Sequence, residues 1–320
     1  MNYSQFIIKV KEGLQERLGA EVKVEAIHVP KNNGVVLQGI TVRRPEEKVV
    51  PTIYMERFYE DYLEGRDMDD ILEEFMEIYE EQETAQMPDF AFYQDYEKVK
   101  RRLALKLVNR KKNAAMLAEM PSRDFLDMAV TFYCLVDCPQ TGTAAILIKN
   151  THMEKWGITV ERLYEDALKN AERMLPGSIR TMEEMLSRLV LEEDIPAWEW
   201  KEKEQEDFPM LDGFAEKRKA QEGIPLFILT NSRRYFGAAC ILYRGLLERF
   251  AEKTGKSLYI LPSSIHEVIL LPKDCVKKAD HLIRMVSEVN RTQLEPEEVL
   301  SDAVYYYDRE KREISICHIK

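Results

Sequence analysis

Two apolar segments far apart in the chain align with each other, and this internal similarity constrains the architecture more than any other feature of the sequence. The segment FYCLVDCPQTGTAAILI begins at Phe132, and FILTNSRRYFGAACILY begins at Phe227. The alignment needs no gap, and a predicted helix follows each segment. Further along, LPGSI at 175–179 matches LPSSI at 261–265. Because repeats determine an architecture before any single motif does, we expect a duplicated hairpin-helix unit.

Each copy of the repeat contains two predicted strands. They are MAVTFYCLVD and GTAAILIKN in the first copy, and IPLFILTN and GAACILY in the second. The helix of the first copy is predicted to have Thr159 as its N-cap, and that of the second to end at Gly255. Two such units could pack through their apolar sheet faces and bury surface that neither buries alone. The sequence therefore predicts an α+β fold in which two divergent hairpin-helix repeat units form antiparallel sheets. Ser178 and Ser264 are equivalent in this alignment, so we expect both in structural turns.

The N-terminal region has a different pattern. EVKVEAIHV and GVVLQGITV flank Asn33 and Gly34, and Asn-Gly between two β-rich runs predicts a hairpin. Residues 52–83 are predicted as acidic helices, and a further helix is predicted over 90–119. An N-terminal hairpin and acidic helices should therefore precede the repeats.

These patterns predict four parts along the chain. Residues 1–120 form the N-terminal hairpin and helical region, and residues 121–191 form the first α+β repeat. Residues 192–222 are an acidic connection. Residues 223–320 form the second α+β repeat.

The composition is that of a folded, acidic protein. The 320 residues are 45% hydrophobic and 32% charged, with a formal net charge of −11. This negative charge repels phosphate backbones and anionic lipids, so neither nucleic acid nor a membrane is an expected partner. The start of the chain lacks the apolar core of a signal peptide, and no apolar run is long enough to span a membrane. These features predict a cytoplasmic protein.

One basic run departs from the acidic average. The cations of this run are Lys98, Lys100, Arg101, Arg102, Lys106, Arg110, Lys111 and Lys112. We expect them on the solvated face of a helix, and the alternative is a local nucleic-acid surface.

The longest distinctive stretches are VRRPEEKVVPTIYMERFYEDYLEG, THMEKWGITVERLYEDALKNA, FILTNSRRYFGAACILY, LYILPSSIHEVILLP and MVSEVNRTQLEPEEVLSDAVYYYDR. Together they resemble a bacterial family of unknown function, found mainly in gut-associated Gram-positive bacteria. The resemblance covers nearly the whole chain, and LYILPSSIHEV is its most specific part. The middle and last segments are also similar to a second uncharacterised family, seen in bacilli. Neither resemblance implies an activity; together they imply an intracellular bacterial protein of one architecture.

The strongest candidate for catalysis is the segment that contains Ser264, His266 and Glu267. A serine nucleophile needs a base within hydrogen-bond reach, and the base needs an orienting group. On a strand, residues two apart point the same way while neighbours point to opposite faces. Ser264 and His266 could therefore share a face that Glu267 does not. The alternative is a tight structural turn.

The candidate ligand-binding residues lie in the polar turn after the strand IPLFILTN. Asn231, Arg233 and Arg234 could hold an anion there, and the alternative is a solvated hairpin tip. The sequence has no His-x-x-x-His helix, no Cys-x-x-Cys pair and no glycine-rich phosphate loop. No metal and no cofactor are therefore predicted.

The acidic helices at 52–83 are the candidate surface for a protein partner. Their aromatic residues could anchor a basic partner. These residues are Tyr54, Phe58, Tyr59, Tyr62 and Tyr79. The alternative is an amphipathic helix pair whose aromatic side chains face its own core.

The leading hypothesis from the sequence is a protein- or ligand-binding module without catalysis. It rests on the lack of any complete catalytic or cofactor motif. The alternative is a hydrolase- or transferase-like enzyme that uses Ser264, His266 and Glu267, with Arg233 or Arg234 holding an anion.

Overall fold

The computed structural model describes residues 1–45, 50–83, 90–138, 142–185, 225–276 and 279–317. Helices and antiparallel sheets are both present, which confirms the α+β class. The chain divides into two compact units, residues 1–89 with 137–144 and residues 90–136 with 145–320. The predicted acidic connection at 192–222 lies outside the described residues.

The described residues of the first unit form a three-stranded sheet and three α-helices. The strands, in spatial order, are β1 (Lys23–Pro30), β2 (Val36–Arg43) and β3 (Ile53–Tyr54). The helices are α1 (Tyr3–Leu18), α2 (Glu56–Leu63) and α3 (Met68–Glu83). The predicted hairpin is confirmed, since β1 pairs with β2 and both Asn33 and Gly34 adopt positive φ at the turn.

The aromatic side chains of the acidic helices belong mainly to the core of this unit. Phe58, Phe75 and Tyr79 are buried, and the rings of Phe58 and Phe75 lie 6.2 Å apart. Tyr59 and Tyr62 are partly buried and pack on Phe6 of α1. The prediction that these rings anchor a partner is therefore wrong for Phe58 and Tyr79, because a buried ring offers no surface.

A four-stranded sheet lies mostly within the second unit. Its strands are β4 (Leu103–Asn109), β5 (Arg123–Phe125), β6 (Met128–Cys138) and β7 (Gly142–Leu147), with β6 paired to the other three. The nearby helices are α4 (Tyr96–Val99), α5 (Ala114–Leu117), α6 (Asn150–Trp156) and α7 (Val160–Met174). Thr159 caps α7 as predicted, since its side chain accepts a hydrogen bond from the backbone N of Arg162.

The predicted helix over 90–119 is wrong. Its centre is β4, in which the first six residues are all buried. A strand that is buried on both faces has no alternation, so its apolar run cannot be distinguished from a buried helix by periodicity. Because β4 pairs with β6, this sheet also crosses the domain boundary predicted at residue 120.

A six-stranded antiparallel sheet completes the second unit. In chain order its strands are β8 (Gly177–Thr181), β9 (Phe227–Asn231), β10 (Leu258–Pro262), β11 (Val268–Pro272), β12 (Tyr305–Asp308) and β13 (Glu313–Ile316). In space the order is β13-β12-β10-β11-β9-β8, so β8 is an edge strand. Two helices accompany it, α8 (Leu246–Thr254) and α9 (Ala279–Thr292). Gly255 ends α8 in a left-handed conformation, as predicted.

The duplicated hairpin-helix unit is not confirmed. Residues 142–147 of the first copy form strand β7, whereas the aligned residues 237–242 form a buried 3-10 helix. Strand β8 from the first copy pairs with β9 from the second, so the predicted units share a sheet. Ser178 lies in β8 and not in a turn, which corrects its predicted equivalence to Ser264.

Candidate functional site

The candidate site begins at the pairing of edge strand β8 with β9. Ser178 is opposite Thr230, and Arg180 is opposite Ile228. Side chains two residues apart on a strand project from the same face, so these four side chains share one face of the sheet. On that face the Nε of Arg180 donates a hydrogen bond to Ser178 Oγ at 3.2 Å.

The loop that follows β9 carries the second half of the site. We call residues 232–237 the arginine loop. The side-chain oxygen of Asn231 accepts hydrogen bonds from the backbone N of Arg233 at 3.1 Å and of Tyr235 at 3.2 Å. Its side-chain nitrogen donates to the carbonyl oxygen of Tyr235 at 2.8 Å. Asn231, predicted to bind a ligand, is therefore a buried residue that shapes the loop.

Together the strand pair and the arginine loop form a cleft that we call the arginine cleft. It is lined by Ser178, Arg180, Met185, Ile228, Thr230, Asn231, Ser232 and Arg234. The space between its walls is about 300 Å3, part of it open to solvent. A guanidinium of Arg234 lies 3.9 Å from the sulfur of Met185. Both arginines also make further contacts, so a ligand would compete with existing partners. Arg233, predicted beside Arg234, does not line this cleft.

Of the residues that line this cleft, Arg234 was predicted from the sequence, whereas Ser178 and Arg180 were not predicted as ligand-binding residues. The Ser-Ile-Arg alternation in GSIRT is a local signal that the two side chains share a face. The pairing that brings them to Thr230 joins residues about fifty positions apart, and nothing local in the sequence specifies that pairing.

The predicted catalytic segment forms a closed turn between β10 and β11. The backbone N of Ser264 donates to the carbonyl oxygen of Glu267 at 3.1 Å, and Ser264 Oγ accepts from the backbone N of His266 at 3.0 Å. Thr230 Oγ1 donates to the carbonyl oxygen of His266 at 2.8 Å. Ser264 is buried. Its hydroxyl therefore accepts a hydrogen bond from within the turn itself.

The imidazole of His266 contacts the arginine loop. Its Nδ1 accepts a hydrogen bond from the backbone N of Phe236 at 3.2 Å, and its Nε2 lies 3.8 Å from a carboxylate oxygen of Glu298. The ring stacks on Phe236 with centroids 5.6 Å apart and an interplanar angle of 16°. The ammonium of Lys106 lies 4.3 Å from the centroid of the same Phe236 ring. A cation and an imidazole thus both contact this one aromatic side chain.

Burial has the largest effect on the pKa values of both titratable side chains of this turn, His266 and Glu267. It lowers the pKa of His266 below its ordinary value; the carboxylate of Glu298 opposes this shift and the charge of Lys106 adds to it. Burial also raises the pKa of Glu267, and the cation of Arg234 opposes that shift. His266 therefore favours the neutral form, in which Nδ1 can accept a hydrogen bond.

The described contacts do not assemble a catalytic triad. A serine nucleophile needs a ring nitrogen to take its proton, but Nδ1 of His266 already accepts from Phe236 and Nε2 is directed to Glu298. The acid next to the imidazole is Glu298, which the sequence analysis did not select, and not Glu267. The geometry makes His266 a residue that positions the arginine loop.

Tyr133 is a buried neighbour of the loop with an unusual hydroxyl group. Its ring lies 5.2 Å from that of Phe236, and within the described residues its hydroxyl has no hydrogen-bond partner. An unsatisfied buried hydroxyl stabilises nothing, so we expect Tyr133→Phe to leave the free energy of unfolding unchanged or to raise it by up to about 1 kcal/mol. Urea denaturation measures this difference.

Tyr305→Phe is the matched control for that substitution. The Tyr305 hydroxyl donates to Asp127 at 2.6 Å and is buried, so its removal should lower the free energy of unfolding by about 1–2 kcal/mol. If Tyr133→Phe destabilises the protein as much as Tyr305→Phe does, the Tyr133 hydroxyl has a hydrogen-bond partner, and its description as unsatisfied is wrong.

The basic run at 98–112 does not form one helical face. Lys98 lies in α4, Lys106 is buried in β4, and Arg110 pairs with Asp124 at 2.6 Å. The expected solvated helix face is therefore wrong, since a strand separates these cations. The expected lack of a nucleic-acid partner and the expected protein partner both stay predictions.

Two features are absent from the described part of the chain. No group of three or more His, Cys, Asp or Glu side chains there could hold a metal ion. No helix among those residues has both the length and the apolar character needed to cross a bilayer.

The match to known families extends from residue 3 to residue 309. The chain belongs to DUF5688, a family of unknown function. The sequence-based resemblance to a full-length uncharacterised family is thereby confirmed. No curated protein matches this DUF5688 chain, and no solved structure matches it.

Proposed function

We propose that this DUF5688 protein binds a small anionic ligand in the arginine cleft and does not transform it. The observation that carries the proposal is the convergence of Arg180 and Arg234 on one small cleft, which Ser178 and Ser232 also line. Guanidinium groups form short, charge-assisted hydrogen bonds with oxyanions, and hydroxyl groups can donate to the same oxygens.

The size of the cleft supports a small ligand or the end of a larger one. Its interior has room for about one water-sized particle, so one oxygen of an oxyanion would enter while the rest faces solvent. The net charge of −11 repels anions from most of the surface. Arg180 and Arg234 supply local positive charge that opposes this repulsion at the cleft.

The non-catalytic part of the proposal is supported by the hydrogen bonds of the turn. Ser264 Oγ accepts from the backbone of His266, and His266 Nδ1 accepts from the backbone of Phe236. Both groups hold backbone in place, and neither is directed at the cleft as a nucleophile or base would be.

Calorimetric titration with sodium sulfate tests the proposal. Sulfate stays a dianion across neutral and mildly acidic pH, and sodium chloride at equal ionic strength controls for screening. We expect one saturable site with a binding free energy of about −4 kcal/mol or stronger, which corresponds to a millimolar Kd or tighter. Absence of a saturable site for sulfate and for phosphate would contradict the proposal.

A further inference from the structure

We infer that His266 is a pH-sensitive latch on the arginine cleft: when its imidazole takes up a proton, the arginine loop is released and anion binding weakens. The effect on the ligand rests on the proposed function. The effect on the loop does not, because it concerns only hydrogen bonds within the protein.

The latch is the hydrogen bond from the backbone N of Phe236 to Nδ1 of His266. A neutral imidazole can accept at one nitrogen, and the contact with Phe236 indicates that its hydrogen is on Nε2, toward Glu298. A protonated imidazole carries hydrogens on both nitrogens. Two N–H groups would then face each other at Phe236, so the bond cannot persist in the charged form.

The backbone that this bond holds is strained. Arg234 has φ of 51° and Phe236 has φ of 53°, values that residues with a side chain rarely adopt. Such conformations persist only where the surrounding structure maintains them. Here the amide of Asn231 holds one side of the loop and His266 holds the other. Loss of the His266 contact removes one of the hydrogen bonds that hold this conformation, whereas the bonds from Ser232 N to the carbonyl oxygen of Pro176 and from Ala238 N to that of Ile265 remain.

The same loop carries half of the arginine cleft. Ser232 and Arg234 line the cleft, and Arg234 is two residues from the amide that His266 holds. The other half, Ser178 and Arg180, lies on edge strand β8 and does not depend on His266. Loss of the bond at Phe236 therefore lets Arg234 move away from Arg180 while Ser232 stays bonded to Pro176, and the ligand loses the contacts of Arg234.

The charged groups around the imidazole come from four segments. Glu298 lies at Nε2, Lys106 reaches it from β4, and Glu267 is its neighbour in the turn. The fourth segment is the arginine loop itself, where a backbone hydrogen bond at Arg234, and not its charge, favours the charged imidazole. Burial and Lys106 outweigh Glu298 and Arg234, so the pKa of His266 is lowered and the latch is closed at neutral pH.

The sign of the pH effect follows from this shift. Because the folded protein binds the His266 proton less readily than the unfolded chain, this group destabilises the fold as pH falls below about 6.5, the ordinary value for histidine. Glu267 acts in the opposite direction, since its raised pKa favours the folded state in acid and that contribution is lost as pH rises. Any destabilisation specific to the loop in mild acid is therefore assigned to His266.

Hydrogen exchange of the arginine loop tests the latch without a ligand. We compare protection of the amides of 232–237 at pH 7.5 and pH 5.0, corrected for intrinsic exchange, in the wild type and in His266→Asn. The asparagine oxygen can take the place of Nδ1 as acceptor and does not titrate. Protection should fall at least about threefold in acid in the wild type and stay constant in the variant. Equal protection at both pH values in the wild type overturns the latch.

Sulfate affinity at the same two pH values tests the effect on the cleft. The Kd of the wild type should rise at least about threefold at pH 5.0, and that of His266→Asn should not change. Simple electrostatics predicts the reverse, since a proton on His266 adds positive charge near an anion. Tighter binding in acid therefore overturns the inference. If sulfate binds at neither pH, the proposed function fails, and the exchange data alone decide whether the latch exists.

If His266→Asn does not fold, the latch can be tested in the wild type alone. The wild-type exchange profile then has to be compared with the titration of the His266 ring followed by NMR. Coinciding midpoints support the latch, and a midpoint of exchange unrelated to His266 overturns it.

Discussion

Substitution of either cleft arginine by glutamine is expected to weaken sulfate binding at least about tenfold, and the double variant Arg180→Gln/Arg234→Gln should not bind at a measurable level. Each guanidinium supplies a charge-assisted hydrogen bond that glutamine can replace only with a neutral one. The loss of affinity should be similar for the two single variants, because each removes one of the two guanidinium groups of the cleft. Calorimetry at pH 7.5 provides the measurement.

Arg110→Gln is the matched control for these variants. It removes one positive charge from the same unit, but Arg110 pairs with Asp124 on the surface and does not line the cleft. Exposed ion pairs contribute little to stability, so this variant should fold and bind sulfate as the wild type does. If Arg110→Gln weakens binding as much as Arg234→Gln does, the effect is one of net charge and the cleft is not the site.

Gly237→Ala is expected to cause the largest loss of stability, about 2–4 kcal/mol of the free energy of unfolding. A Cβ at this position would lie 2.2 Å from Thr230 Oγ1, 2.5 Å from the carbonyl oxygen of His266 and 2.7 Å from the backbone N of Asn231. Two of these atoms belong to the backbone and cannot move aside as the end of a flexible side chain would. Urea denaturation followed by circular dichroism measures the change.

Gly255→Ala separates this steric effect from the general effect of replacing a glycine. Gly255 ends α8 with φ of 68°, and no atom lies within 4 Å of the position of its Cβ. Its substitution should therefore cost only about 1 kcal/mol, from the left-handed backbone. If Gly237→Ala is no more destabilising than Gly255→Ala, β9 and the turn at His266 do not approach Gly237 as closely as described.

The parts of the fold that the sequence predicted correctly are those with local signals. Asn33 and Gly34 favour positive φ, and both adopt it in the N-terminal hairpin. Thr159 can cap a helix with its own hydroxyl, and Gly255 can end one without a steric penalty. In each case the chemistry of one or two residues determines the backbone, whatever packs around it.

The incorrect secondary-structure predictions fall on segments that are buried on nearly all sides, because such segments show no hydrophobic periodicity. Residues 103–109 and 237–242 are both apolar runs that are buried almost throughout, yet the first is a strand and the second a 3-10 helix. What separates them is tertiary: Gly237 packs closely against Thr230 and the His266 carbonyl, whereas β4 pairs along its whole length with β6. Contacts of this kind between distant segments are not encoded in local sequence patterns.

Only part of the candidate site could likewise be predicted from the sequence. Arg234 could be proposed because a polar turn with two cations is visible in the sequence. Its neighbour Arg233 has the same chemistry and is not in the cleft, since the loop turns between them. Arg180 joins the site only through the pairing of β8 with β9, and His266 holds the loop from a turn that is distant in the chain.

The most direct test of anion binding in the arginine cleft is anomalous diffraction from crystals soaked in selenate, grown without sulfate or phosphate. Selenate has the charge and shape of sulfate, and selenium gives a signal that water cannot imitate. We predict a peak at the mouth of the cleft, with selenate oxygens about 3 Å from the guanidinium groups of both Arg180 and Arg234. Selenate bound only elsewhere on the surface, with an empty arginine cleft, would contradict the proposed function.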